Sequence, residues 1–420
     1  MSADNKVPEI RFNGFSGEWA EETLGAIAEI KTGPFGSTLH AKAYVEDGYA
    51  IITTEHFKSG ELPTDKRGVP QVSDEDYLRL KVYLLKVGDI VFSRVGSVDI
   101  NAHVTNKQEG WLFSGRVLRV RSNKIIDSEY LHHELSTSRV KKSVISRAVG
   151  QTMPSINTEI LKVTPIHFPS DTAEQTAIGN HFQQLDSLIN QHQQKYDKLG
   201  NLKKAMLEKM FPKQGETVPE IRFKGFRGKW VEVKLGEIAR IKGRLGWKSL
   251  KQDEYLSDGP AMIAGKHIEN GHIDWSKVDH IPEWRYIESP EIMLKNGDII
   301  FSKDGSLGNP AVVSNIQCKA TINSTMMLVR PNNNLDSNFF YQILNTKLFK
   351  ELIKEKVSGS SIPHLFQADM KLFKFYSTSL EEQYQIGVYF QKLDALINQH
   401  QQQITKLNNI KQACLSKMFV

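Results

Sequence analysis

Residues 7–19 read VPEIRFNGFSGEW and residues 218–230 read VPEIRFKGFRGKW, with ten of thirteen positions identical and 211 residues between the copies. The duplication continues in order along the chain. LGAIAEIKTG at Leu24 answers LGEIARIKG at Leu235, and AIITTEHFKSG at Ala50 answers AMIAGKHIENG at Ala261, setting His56 opposite His267. LKVGDIVFSRVGS at Leu85 matches LKNGDIIFSKDGS at Leu294, and FQQLDSLINQHQQ at Phe182 matches FQKLDALINQHQQ at Phe390. The offset falls only from 211 to 208, so few insertions separate the copies. Such a period is too long for one unit of a solenoid. It means two whole domains of similar fold, each followed by the same appendage.

The appendage is a helix with a seam. Ile178, Phe182, Leu185, Ile189 and His192 step by alternating four and three, and the pattern runs on to Met210. Ile386, Phe390, Leu393, Ile397 and His400 repeat it, running on to Met418. Apolar residues at this spacing make the contact stripe of a coiled coil. About five heptads predict helices of about 38 residues, or ~57 Å at 1.5 Å rise per residue. A helix of that kind cannot bury its stripe alone, and its twin is the natural partner. Seam lysines Lys203 and Lys411 are expected to be flanked by Leu202 and Ile410, and the seam histidines to fix register. Each preceding domain mixes short β-rich segments (YAIITT, DIVFS, VLRVRS) with a helix at 128–148 or 337–357.

The expected fold is α+β: two similar mixed α/β domains, each followed by a long α-helix, the two helices pairing as an antiparallel coiled coil. The domains are placed at 1–170 and 212–378, the helical segments at 171–211 and 379–420. Each repeated opening phrase sits where a domain begins and just after a helix ends, so the unit reads as circular. Trp19 and Trp230, with Phe12, Phe15, Phe223 and Phe226, are expected to plug each domain onto a helix end; a staple within the domain is the competing reading.

Reactive constellations are missing. GRLGWKS at Gly243 has the wrong spacing for a phosphate loop, and neither HExxH nor GxSxG occurs. Asn309 opens NPAV, short of the Asn-Pro-Pro-aromatic signature that grips a flipped adenine, and Glu29 in EIK is answered by Arg240 in RIK. Cys318 and Cys414 form no CxxC pair, which argues against a cysteine zinc site and fits a reducing cytoplasm. No apolar run reaches the ~18–20 residues of a membrane span. A net charge of +6 favours an acidic partner weakly, since residues 1–170 hold 21 basic against 21 acidic side chains.

Together the repeat, the paired helices and the phrases PEIRFNGFSGEW…LGAIAEIKTG, GDIVFSRVGS and EQTAIGNHFQQLDSLINQHQQ resemble a specificity (S) subunit of a type I restriction-modification system over essentially the whole chain. The resemblance implies two target-recognition domains, each reading one half of a divided double-stranded DNA sequence, and no catalysis by the chain itself. It implies helices that act as spacer and bind methyltransferase (modification) subunits, two of them expected, with restriction (motor-nuclease) subunits joining. S-adenosylmethionine, ATP and Mg are then expected on those partners, and no metal or cofactor on this chain. The seam residues Phe182, Leu185, Ile189, His192, Phe390, Leu393, Ile397 and His400 are the expected helix-pairing and partner-binding positions. A two-lobed protein scaffold without DNA binding is the rival reading.

The two copies control for one another: agreement marks scaffold, and divergence on loops marks base readout. Segments 32–46 and 243–256 share little beyond glycines, which nominates Ser37, Thr38, His40, Lys42, Arg244, Lys248 and Lys251 for bases or phosphates. Arg94 and Lys303 stand at equivalent places in the FSRVGS and FSKDGS turns; Arg has the fork for bidentate guanine contact that Lys lacks. The basic run Arg139, Lys141, Lys142 and Arg147 is placed at the C-terminal end of its helix, for phosphate or for the helix dipole. Lys266, beside His267, completes the set.

Overall fold

The computed structural model describes residues 6–34, 39, 44–243, 250–358 and 363–420. The chain forms two compact units, residues Met1–His192 with Gln403–Val420, and residues Gln193–Gln402. The helical segments at 171–211 and 379–420 are therefore not separate pieces. Each long helix contributes to both units, because its seam is buried half in one core and half in the other.

In the first unit a four-stranded antiparallel sheet runs in the order Ala28–Thr32, Val117–Ser122, Asp89–Ser93, Asn101–His103. Every residue of Asp89–Ser93 is buried, as a run of alternating apolar faces in a central strand demands. The buried Asp89 is matched by a two-pronged pair with Arg121 at 2.6 and 2.7 Å. A smaller sheet follows the order Tyr44–Val45, Gln71–Val72, Tyr49–Ile52, Leu112–Phe113, its last pair parallel. Strand Ala20–Thr23 pairs with Pro165–Phe168, bringing the two ends of the domain together.

The second unit repeats this plan. Its main sheet runs Ala239–Gly243, Met326–Pro331, Ile299–Ser302, Gly308–Val312. Arg330 grips Asp298 as Arg121 grips Asp89, again at 2.6 and 2.7 Å. Val231–Lys234 pairs with Lys374–Ser377. The smaller sheet has the order Asp279–His280, Leu256–Ile263, Ala320–Ile322.

The helix expected at 128–148 is two helices, Ser128–Glu134 and Ser138–Arg147. Thr137 breaks it: its side-chain oxygen accepts from the Val140 amide and caps the second piece. The copy breaks likewise at Thr346, between Ser337–Asn345 and Lys347–Ser358.

The long helices are Thr172–Lys209 and Leu380–Lys417, each of 38 residues. Within the first unit Lys411 pairs with Asp186 and Phe419 packs on Phe182 with ring centroids 5.5 Å apart. Within the second, Lys203 pairs with Asp394 and Phe211 packs on Phe390 at 6.1 Å. In each case later positions on one helix meet earlier positions on the other, which is antiparallel order. Phe182, Leu185, Phe390 and Leu393 are buried, while Ile189, His192, Ile397 and His400 are half-buried. Leu202 and Ile410, expected to line the stripe beside the lysines, are instead exposed. The lysines need no apolar flank, because an aspartate on the opposite helix neutralises each one.

The repeated phrase is the plug. Ile10 donates its amide to the Lys417 carbonyl at 2.9 Å, and Ile221 to that of Lys209 at 2.8 Å. Trp19 and Trp230 are each 2% exposed, the first edge-on to Phe419 and the second to Phe211. Arg11 clamps Glu174 at the start of one long helix, and Arg222 clamps Glu382 at the start of the other. Phe12, Phe15, Phe223 and Phe226 are only half-buried and form the rim, not the plug.

Candidate nucleic-acid interface

One end of each main sheet collects the segments where the two copies differ most. In an antiparallel sheet, strand ends alternate. Ala28–Thr32 and Asp89–Ser93 therefore finish where Val117–Ser122 begins, with Thr32 opposite Leu118 and Ser93 opposite Val117. The second unit does the same, with Gly243 opposite Met327 and Ser302 opposite Met326. The chain leaves this end through the divergent loops that follow Thr32 and Gly243.

Backbone hydrogen bonds join three further segments to this end of the sheet. Gly33 donates to the Val117 carbonyl at 3.2 Å, Arg94 to that of Arg116 at 3.0 Å, and Ile156 to that of Arg94 at 2.9 Å. A Cβ on Gly33 would fall 2.1 Å from the Ser114 carbonyl oxygen, so only glycine fits where this loop departs. In the second unit Lys303 donates to Thr325 at 2.8 Å and Leu365 to Lys303 at 2.9 Å. The same four places in the sequence thus converge in both units: the end of the first sheet strand, the 94–97 or 303–306 turn, the 114–116 or 323–325 connection, and the segment after the broken helix.

The nominated residues separate into groups. Ser37, Thr38, His40, Lys42, Arg244 and Lys248 lie outside the described residues. Arg94 does sit at the shared end, but its guanidinium donates to the carbonyls of Ile156 at 3.2 Å and Gly115 at 3.1 Å, closing the loops on one another. Lys303 is also there and donates to Asp304 at 3.2 Å, while Asp304 also meets His364. Lys251 is exposed at the far side of the divergent loop, and its backbone N–H donates to Glu254 at 2.7 Å. Lys266 donates to Asp279 at 3.0 Å in the smaller sheet.

The basic run is not at a helix C-terminus. Arg139 lies in the first turn after the Thr137 cap, and it is committed to structure: it donates to the carbonyls of Val420 at 2.8 Å and Pro165 at 3.3 Å and pairs with buried Glu134. Lys141 is half-buried; Lys142 and Arg147 are exposed, and of the four only Arg147 is in the last turn. The helix dipole thus favours Arg147 alone.

Arg116 lies outside the residues nominated by the divergent segments and turns. It is exposed on the connection whose carbonyl receives the Arg94 amide, and its counterpart is Thr325. The signal was present, a cation in one copy and a neutral residue in the other beside a glycine turn.

His56 and His267 have a structural role. Each ring Nδ1 accepts the amide three residues back, from Thr53 at 3.1 Å and Ala264 at 3.0 Å, closing a tight turn. Burial holds both imidazoles below the usual 6.5, against the upward pull of a bond to the Gly68 backbone and of Glu55 on the first, and of Asp279 on the second.

Comparison with known proteins gives these surfaces a context. The family model for the type I restriction modification DNA specificity domain matches residues 16–201 and again 227–409. The type I restriction enzyme MjaVIII specificity subunit of Methanocaldococcus jannaschii is 23% identical over 321 residues, 74% of each chain. The putative type I restriction enzyme MjaX specificity subunit of the same organism is 25% identical over 385 residues, 89% of this chain and 86% of the relative. The fold is similar to the crystal structure of a type I restriction-modification S subunit from M. genitalium, with a TM-score of 0.65 over 99% of both chains at 19% identity.

Proposed function

This chain belongs to the family of type I restriction modification DNA specificity domains, and from that premise we propose that each of its units reads one half of a divided double-stranded DNA target. The carrying observation is the shared sheet end, where four segments converge in both units and where the copies diverge. A surface built on a common scaffold with unlike loops suits two half-sites of unlike sequence, which a homodimer with identical units does not. Arg116, Lys142 and Arg147 supply cations on the first unit for backbone or base contact, and Lys251 does so on the second.

The chain supplies recognition without catalysis. Modification subunits, two per chain, carry S-adenosylmethionine and methylate adenine; restriction subunits carry ATP and Mg. Exposed apolar residues at twin positions on the long helices, Leu188 with Leu396 and Leu202 with Ile410, support docking of a subunit on each helix. The complex works in the cytoplasm, in keeping with a chain in which, among the described residues, no helix is long and apolar enough to cross a membrane.

The test is co-expression with a modification subunit, followed by mapping N6-methyladenine across the host genome. A single motif of two defined halves and a fixed gap is expected. A stable complex that leaves no methylated motif would instead make the chain a protein scaffold.

A further inference from the structure

The two units differ at one buried place that DNA reading does not use. In the first unit, helix Ser128–Glu134 places His132 and His133 against Asp186 of the first long helix, with ligand atoms of all three within 4.8 Å of one another. The same places in the second unit hold Tyr341, Gln342 and Asp394.

His133 is 1% exposed, and among the described residues neither its Nδ1 nor its Nε2 has a hydrogen-bond partner. A buried polar atom left unpaired is destabilising, so an imidazole with two such atoms calls for an explanation. The second unit indicates what has been lost. There the Gln342 amide donates to Asp394 Oδ2 at 3.2 Å, while Lys203 pairs with Oδ1. In the first unit Lys411 pairs with Asp186 Oδ1 in the same way, but a histidine replaces the glutamine. Asp186 therefore has imidazoles beside it where Asp394 has an amide.

The remaining geometry suits a metal ion. His132 Nδ1 lies 2.6 Å from Asn101 Oδ1, so that nitrogen carries the proton and Nε2 presents its lone pair. A ligand histidine is commonly oriented in this way, by a carbonyl on its far nitrogen. Glu129 stands beside the group, with Oε2 3.9 Å from His133 Nε2 and Oε1 3.3 Å from His103 Nδ1. Two imidazoles and a carboxylate, with Glu129 or water as fourth ligand, match the nitrogen and oxygen preferences of tetrahedral zinc at about 2.0–2.2 Å. Asp186, only half-buried, gives an entry path.

We propose that the first unit binds one divalent transition-metal ion of the zinc class through His132, His133 and Asp186. The ion ties the domain to its long helix and replaces, in this copy, the amide bond that Gln342 makes in the other. This departs from the sequence expectation of no metal on this chain.

The test uses the full chain without a histidine tag, stripped with chelator, incubated with zinc sulfate and passed through gel filtration. Metal is counted by mass spectrometry, and the thermal midpoint is followed with and without zinc. Wild type is expected to retain one zinc per chain and to melt higher with it. His133→Gln installs the residue that the second unit already accommodates at this place, so it keeps its fold; it is expected to retain none and to show no zinc-dependent shift. Asp186→Asn should match it. Less than half an equivalent on wild type, or a full equivalent kept by His133→Gln, overturns the proposal.

Discussion

At the scale of single residues, side chains alike in chemistry serve different ends, and the bonds each makes separate them. Arg94 and Arg116 are neighbours at the same sheet end, yet Arg94 holds two carbonyls and Arg116 is exposed. Arg94→Ala should lower unfolding stability by about 1–3 kcal/mol, the cost of leaving partly buried acceptors unpaired. Arg116→Ala should leave stability within about 0.5 kcal/mol but weaken duplex binding and reduce its salt slope by about one. Urea denaturation and salt-dependent binding of the methyltransferase complex measure the two. The histidines offer a pH test. His56 and His267 have folded pKa values below the usual 6.5, so the unfolded chain takes up protons first as pH falls. The stability they contribute is complete above that value and is lost as pH drops through the folded pKa. The double variant His56→Asn/His267→Asn should therefore lose less stability than wild type between about pH 7.5 and 5, as followed by urea midpoints.

At the scale of elements, the sequence was most legible where a pattern repeats over many residues. The four-three seam placed the long helices to within three residues, since seam positions recur at every turn. The strands in DIVFS and VLRVRS were legible for the same reason. Single-residue capping was not: one hydroxyl, that of Thr137, divided a continuous apolar pattern and moved Arg139 from the end of a helix to the start of another. Nor did the heptad reveal that Lys203 and Lys411 are seam residues by virtue of Asp394 and Asp186, because that pairing joins positions 191 and 225 residues apart in the chain. Of the candidate interface, the divergence between copies was legible, while the engagement of Arg94, Lys303 and Arg139 depended on partners distant in sequence. The helix pairing makes its own prediction. Lys203→Glu sets two acids together in a mostly buried place and should cost about 1–3 kcal/mol; adding Asp394→Lys should recover at least half of it. Chemical denaturation of both variants measures the coupling.

At the scale of the whole molecule, the duplicated phrase has a physical purpose. Each copy fastens the start of a domain to the end of one long helix through a buried tryptophan and to the start of the other through an Arg–Glu clamp. Two such closures give two equivalent frames carrying unlike loops. Each frame then reads its own half-site independently. The most direct measurement replaces residues 20–170 with the corresponding segment of a relative, keeps both long helices, and maps N6-methyladenine in cells supplying the modification subunit. A new motif that differs in one half, with the other half and the gap unchanged, is the predicted result. A change in both halves, or an unaltered motif, would contradict it.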